Sequence, residues 1–148
     1  MVDVQAILKK IENLASLSDY PLEDFADEEK DADKLAQFFV EQDKKLKKDR
    51  LKPTQLRKVF HALKEVERKY KGKNGEDFFE ISDILSLKPE LAYAVGRELI
   101  PQEFYRLMKT CLTSEKLKKV NDFRRLMEFL TAVLAYHKFR KGIRPSSS

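Results

Sequence analysis

Arg57, His61, Lys64 and Arg68 recur at three- and four-residue intervals, the spacing that lines side chains along one side of an α-helix. Guanidinium, ammonium and imidazole groups in such a row donate hydrogen bonds to phosphate oxygens. The chemistry they offer is the binding of a polyanion, not the making of bonds. The plainer reading is a solvated helix face, but such faces usually interleave both signs through i,i+4 pairs, and this stripe is almost free of acids. It also continues a dense tract, Lys44, Lys45, Lys47, Lys48, Arg50 and Lys52. That tract has its own plain account, since cations near a helix C-terminus gain about 0.3–1 kcal/mol each from the helix dipole. No aromatic lies within the stripe, which favours tracking of a sugar–phosphate backbone over stacking on bases.

Other chemistry finds little support. Cys111 and His137 are a nucleophile and a base in principle, yet both fall on apolar helical faces, where a lone thiol is a small hydrophobe. His61 lies on the cationic stripe and His137 on a core stripe, so no two-histidine metal site is expected. The acidic run Glu23, Asp24, Asp27, Glu28, Glu29 lacks the glycine and alternating ligands of a calcium loop. Gly72 to Gly75 lacks the lysine placement of a phosphate-binding loop. An enzyme, a metal and a cofactor are all unexpected.

The stripe needs a helix to carry it, and the segment Leu51 to Lys71 supplies one. Leu56, Val59, Phe60, Leu63, Val66 and Tyr70 form its apolar face, roughly 135° around from the cations at 100° per residue. Pro53 suits its first turn, and Gly72 and Gly75 end it. Further helices are predicted on either side. One spans Asp3 to Leu17, capped by Asp3, with Val4, Ile7, Leu8, Ile11 and Leu14 as a narrow apolar stripe fit for the core's edge or another copy. Ser16 to Asp31 reads as an exposed connection, with a turn around Leu22 and Phe25. A helix from Asp31 to Asp49 follows. Short helices are expected over Asp77 to Ser86, with Phe78, Ile81, Ile84 and Leu85 inward, and over Glu90 to Glu98. The small residues Ala92, Ala94 and Gly96 there suggest close approach to a helix or ligand. Pro101 opens a helix with Phe104, Leu107, Met108 and Cys111 inward. The longest ends near Arg140, with Phe123, Leu126, Met127, Leu130, Val133, Leu134 and His137 on a wide apolar face and Arg124, Thr131 and Lys138 opposite. Residues 143–148 read as a disordered tail.

Composition agrees. Four glycines and five prolines in 148 residues favour helices, and this length predicts one domain able to bury roughly 70% of its unfolded surface. One cysteine excludes an internal disulfide, and a reducing cytoplasmic setting is expected. The longest apolar run, Phe129 to Tyr136, is far short of the ~20 residues of a membrane span. The net charge of +5 hides segregation: −8 over residues 1–43, +10 over 44–73, −3 over 74–112 and +6 over 113–148. Two basic blocks set between acidic ones fit an oriented surface with a polyanionic partner.

Three runs carry a family resemblance. Leu56-Arg57-Lys58-Val59-Phe60, then Leu87-Lys88-Pro89-Glu90-Leu91-Ala92-Tyr93-Ala94-Val95-Gly96-Arg97, then Phe123 with Phe129 and Ala135-Tyr136-His137-Lys138 resemble the small helical subunit of the type III-A CRISPR interference complex, the Csm complex. The resemblance covers residues 51–142, with 1–50 as N-terminal helices outside it. Glu90 stands where the family tends to a basic residue, and Thr131 where it tends to Glu. The resemblance implies a non-catalytic subunit lining the effector filament in several copies, against guide RNA and target RNA and the other subunits of the Csm complex. It implies RNA contact first by Arg57, Lys58 and Arg97. The basic pattern adds Lys52, His61, Lys64, Arg68, Arg124 and Lys138. His137 reads instead as a core histidine whose free nitrogen bonds a backbone group. The expectation is an all-α, single compact bundle of five to seven helices that binds RNA and is a possible homo-oligomer. The competing expectation is a helical interaction module that oligomerises through the 3–17 stripe with no nucleic-acid role.

Overall fold

A computed structural model describes residues 3–142. Among them the chain forms six α-helices and no strand: α1 (Val4–Glu12), α2 (Asp31–Leu46), α3 (Pro53–Lys69), α4 (Leu87–Gly96), α5 (Gln102–Cys111) and α6 (Val120–Gly142). The fold is all-α, as the composition requires. The only pairing of β type among the described residues is an isolated antiparallel bridge between Phe78 and Lys119.

Local signals set most helix starts. The Asp3 carboxylate accepts from the Ala6 amide at 3.0 Å, satisfying one of the amides that a first turn leaves without a partner. Pro53 occupies the first turn of α3. Lys47 takes a left-handed conformation at φ 54° and closes α2 after Leu46, three residues short of the predicted Asp49. Gly72, at φ 79°, turns the chain after α3 where a Cβ would strain it.

Packing then fixes the arrangement. α6 is the central helix: Phe123, Leu126, Met127, Phe129, Leu130 and Val133 are all buried, and α2 lies along it. Asp33, fully buried at the start of α2, accepts from Nε and Nη2 of Arg140 at 2.8 Å each and from the Glu29 amide at 2.9 Å. That fork ties the two longest buried surfaces together. α1 covers α5 and α2, with Val4, Ile7, Leu8 and Ile11 buried. The apolar stripe expected at the core's edge or against another copy is therefore covered inside the fold.

α4 runs from Leu87 to Gly96, not from Glu90 to Glu98, and the structure departs from expectation at four further places. The segment before α2 is no exposed connection. Two 3₁₀ turns, Leu17–Asp19 and Leu22–Asp24, bury Tyr20 and Phe25 completely against Phe129, with ring centroids 4.8–5.3 Å apart. No helix spans 77–86. Only a 3₁₀ turn, Ile81–Asp83, forms there, and Phe79 rather than Phe78 points inward. Phe79 stacks on Phe123 at 4.7 Å and packs at a tilt against Tyr70 at 4.9 Å, while Phe78 is 71% exposed. Truncating such a buried Phe costs about 3–5 kcal/mol. Thirdly, α1 stops at Glu12, and the Nζ of buried Lys116 donates to the Glu12 carbonyl at 2.6 Å and to the Leu14 carbonyl. Finally, His137 is buried but its Nε2 has no hydrogen-bond partner, so the expected backbone bond is not made. Burial pushes its pKa down, helped by the nearby Lys141 ammonium. The tail at 143–148 lies outside the described residues.

Candidate nucleic-acid interface

The cationic stripe is carried by a helix that is only half embedded. Leu56 and Leu63 are its two buried residues, and Val59, Phe60, Ala62 and Val66 are partly covered. Tyr70, just past its end, anchors it: the hydroxyl donates to Asp83 at 2.6 Å and accepts from the Glu80 amide at 3.0 Å. The Arg124 guanidinium adds a second tie, through Nη2 to the Lys73 carbonyl at 2.7 Å and the Tyr70 carbonyl at 3.4 Å. Burial on one side leaves the other side of α3 to solvent, with Arg57, Lys58, His61, Lys64 and Arg68 all exposed.

Exposure alone does not make these cations equivalent. Lys64 pairs with Glu67 at 3.0 Å, and its ammonium sits 5.5 Å from the Phe60 ring centroid. Arg68 pairs with Glu65 at 2.7 Å. Exposed pairs of this kind contribute about 0–1 kcal/mol, but each carboxylate cancels much of its neighbour's field. The stripe is thus interleaved with acids in its C-terminal half, contrary to the expectation of a face almost free of them. Arg57, Lys58 and His61 have no ion-pair or hydrogen-bond partner among the described residues. These three form the open part of the stripe.

The remaining predicted residues divide in the same way. Arg97, exposed at the end of α4, donates from Nη1 to the Tyr93 hydroxyl at 2.7 Å. Lys58 and Tyr93 both line a groove of about 580 Å³ between α3 and α4, which Arg97 borders through its bond to Tyr93. Lys52 is half-buried at the N-terminus of α3, its ammonium 3.4 Å from the Asp49 carbonyl. Lys138 is exposed on the last turns of α6. Arg124 is half-buried and its Nη2 is taken by two backbone carbonyls, so it braces the helix that carries the stripe. Sequence reasoning missed that brace, because a cation on the polar side of α6 looks alike whether it meets solvent or a neighbouring carbonyl.

The two candidates for nucleophile and base, Cys111 and His137, are both buried. Cys111 is fully buried and burial pushes its thiol up to about 12, where the reactive thiolate is scarce. Among the described residues no group of three or more His, Cys, Asp or Glu is placed to hold a metal ion. No described helix is long and apolar enough to cross a membrane.

No curated protein and no solved structure matches the chain. A family model, Csm2 Type III-A, matches residues 22–142. The resemblance read on residues 51–142 thus extends back to Leu22 and takes in α2 and its lysine tract. That extension is what packing demands, since α2 covers the central helix α6 and its Asp33 holds Arg140. With an open cationic helix on one side and most of its length inside the match, this chain belongs to the Csm2 Type III-A family, a structural small subunit of the type III-A CRISPR Csm effector complex whose partners are other Csm subunits.

Proposed function

We propose that this chain is a non-catalytic RNA-binding subunit that holds guide RNA and target RNA along the effector filament in cytoplasmic antiviral defence. The observation that carries the reading is the pairing pattern on α3. Arg57 and Lys58 face solvent without an acidic partner among the described residues, on a helix whose other side is fixed in the core. Arg97 extends them across the groove. Such a row suits the phosphate backbone, which fixes position and carries no sequence information. A subunit repeated along a guide whose sequence varies needs that indifference. One copy offers few contacts, so much of the affinity arises when neighbouring copies engage one strand.

The test is a salt titration of the isolated chain with a fluorescein-labelled single-stranded RNA, read by anisotropy. Contact of Arg57, Lys58 and Arg97 with one phosphate each gives a log–log slope of roughly −2, from about 0.7 per phosphate. Absence of binding at low salt contradicts the reading. The competing reading, self-association through α1 with no nucleic acid, has lost its surface, because that apolar stripe is buried.

A further inference from the structure

The groove between α3 and α4 is not explained by backbone tracking. It has a volume of about 580 Å³ and is walled by Val59, Ala62, Leu87, Leu91 and Ala94. The α4 segment that carried the family resemblance, Leu87 to Arg97, supplies one whole wall and the lip. Tyr93 stands on that lip, 61% exposed. The Arg97 guanidinium bonds the Tyr93 hydroxyl at 2.7 Å and lies 5.6 Å from the ring centroid. One guanidinium over the ring covers at most one of its two faces. Lys58 lines the groove from α3, and Gln55 brings an amide to its mouth.

Resting on the RNA-binding reading, we infer that this groove accepts an unpaired nucleobase of the bound RNA, stacked on Tyr93, with Lys58 and Arg97 on the flanking phosphates. The chemistry matches a nucleotide part by part. An aromatic face and aliphatic walls suit the base plane, and the Gln55 amide can both donate to and accept from a base edge. Two cations at the rim suit the backbone on either side. Glu90, the one acidic residue among those lining the groove, disfavours a phosphate on its side and accepts from an exocyclic amine. A protein segment would need an apolar ridge flanked by acids to satisfy the same rim, and it would gain nothing from the open Tyr93 face. The stripe itself has no aromatic, so the groove supplies from α4 the stacking element that α3 lacks.

The experiment uses the full chain with fluorescein-labelled decacytidine, whose bases carry the exocyclic amine, and with an oligonucleotide of equal length whose central residues are abasic, at one fixed salt concentration. The intact strand is expected to bind roughly tenfold more tightly, within the range that one base–aromatic stack contributes. Tyr93→Ala, at an exposed position, is expected to abolish that difference, while Tyr93→Phe, which keeps the ring, retains most of it. Equal binding of the two strands by the unaltered chain overturns the inference and leaves phosphate contact standing. So does a difference that survives Tyr93→Ala, which places the base contact elsewhere on the chain. Failure of both strands to bind at low salt overturns the RNA-binding reading and the inference together.

Discussion

Replacing Arg140 by methionine should unfold this protein more readily than any exposed cation-to-alanine change on α3. Asp33 is fully buried and holds both guanidinium contacts at 2.8 Å. Methionine keeps much of the arginine stem's volume but removes both donors, leaving the carboxylate with the Glu29 amide at 2.9 Å. Breaking one partner of a buried pair costs about 3–5 kcal/mol, because the other charge stays desolvated. Arg140 is 22% exposed in its side chain, so the lower end, about 3 kcal/mol, applies here. For a chain near 150 residues that lowers the melting temperature by roughly 6–12 °C. Urea unfolding followed by helical circular dichroism at neutral pH reads the change directly. The Arg140 bonds hold the Asp33 carboxyl below its usual range. A carboxyl lowered on folding contributes stability that is present above its unfolded pKa and lost as pH falls through the folded one. The gap between native protein and Arg140→Met should therefore shrink below about pH 4. A double variant, Asp33→Asn with Arg140→Met, should recover part of the loss. A change under about 1 kcal/mol for Arg140→Met, no larger than for an exposed pair, would refute the idea that this fork joins α2 to α6.

Two further outcomes follow from the same geometry. His137 is buried with an orphan Nε2 and a lowered pKa, so the unfolded chain takes up a proton first as pH falls below about 6.5. Stability should fall with pH below that point, and His137→Leu should flatten that slope in pH-dependent melting without loss at pH 8. Arg124→Ala, which frees the Tyr70 and Lys73 carbonyls, should cost about 1 kcal/mol in urea unfolding while leaving the salt dependence of RNA binding unchanged.

Much of the fold was legible because it rests on short-range chemistry. The Asp3 cap, Pro53 at the head of α3 and the inward face of α5 all follow from spacing and local hydrogen bonding. What escaped is decided by partners distant in sequence. Tyr20 and Phe25 look like loop residues until Phe129 arrives to cover them. Phe78 and Phe79 are chemically identical neighbours. Which one turns inward is set by the Phe79 amide reaching the Lys118 carbonyl at 3.0 Å. Lys116 is buried only because the carbonyls ending α1 require a donor there. The site was half legible. The cations of α3 were visible by periodicity, and so were Glu65 and Glu67, three residues from their partners, which should have separated Lys64 and Arg68 from the rest. The groove was not visible, since its walls come from two helices that only packing brings together.

The central claim, that the unpaired cations and not the paired ones meet phosphate, is tested most directly by three salt titrations on one labelled single-stranded RNA. The unaltered chain should give a log–log slope of roughly −2. Lys64→Ala with Arg68→Ala should leave that slope in place, because Glu67 and Glu65 already offset those charges. Arg57→Ala, Lys58→Ala and Arg97→Ala together should bring it close to zero. A slope that flattens in the first variant and persists in the second would contradict the assignment.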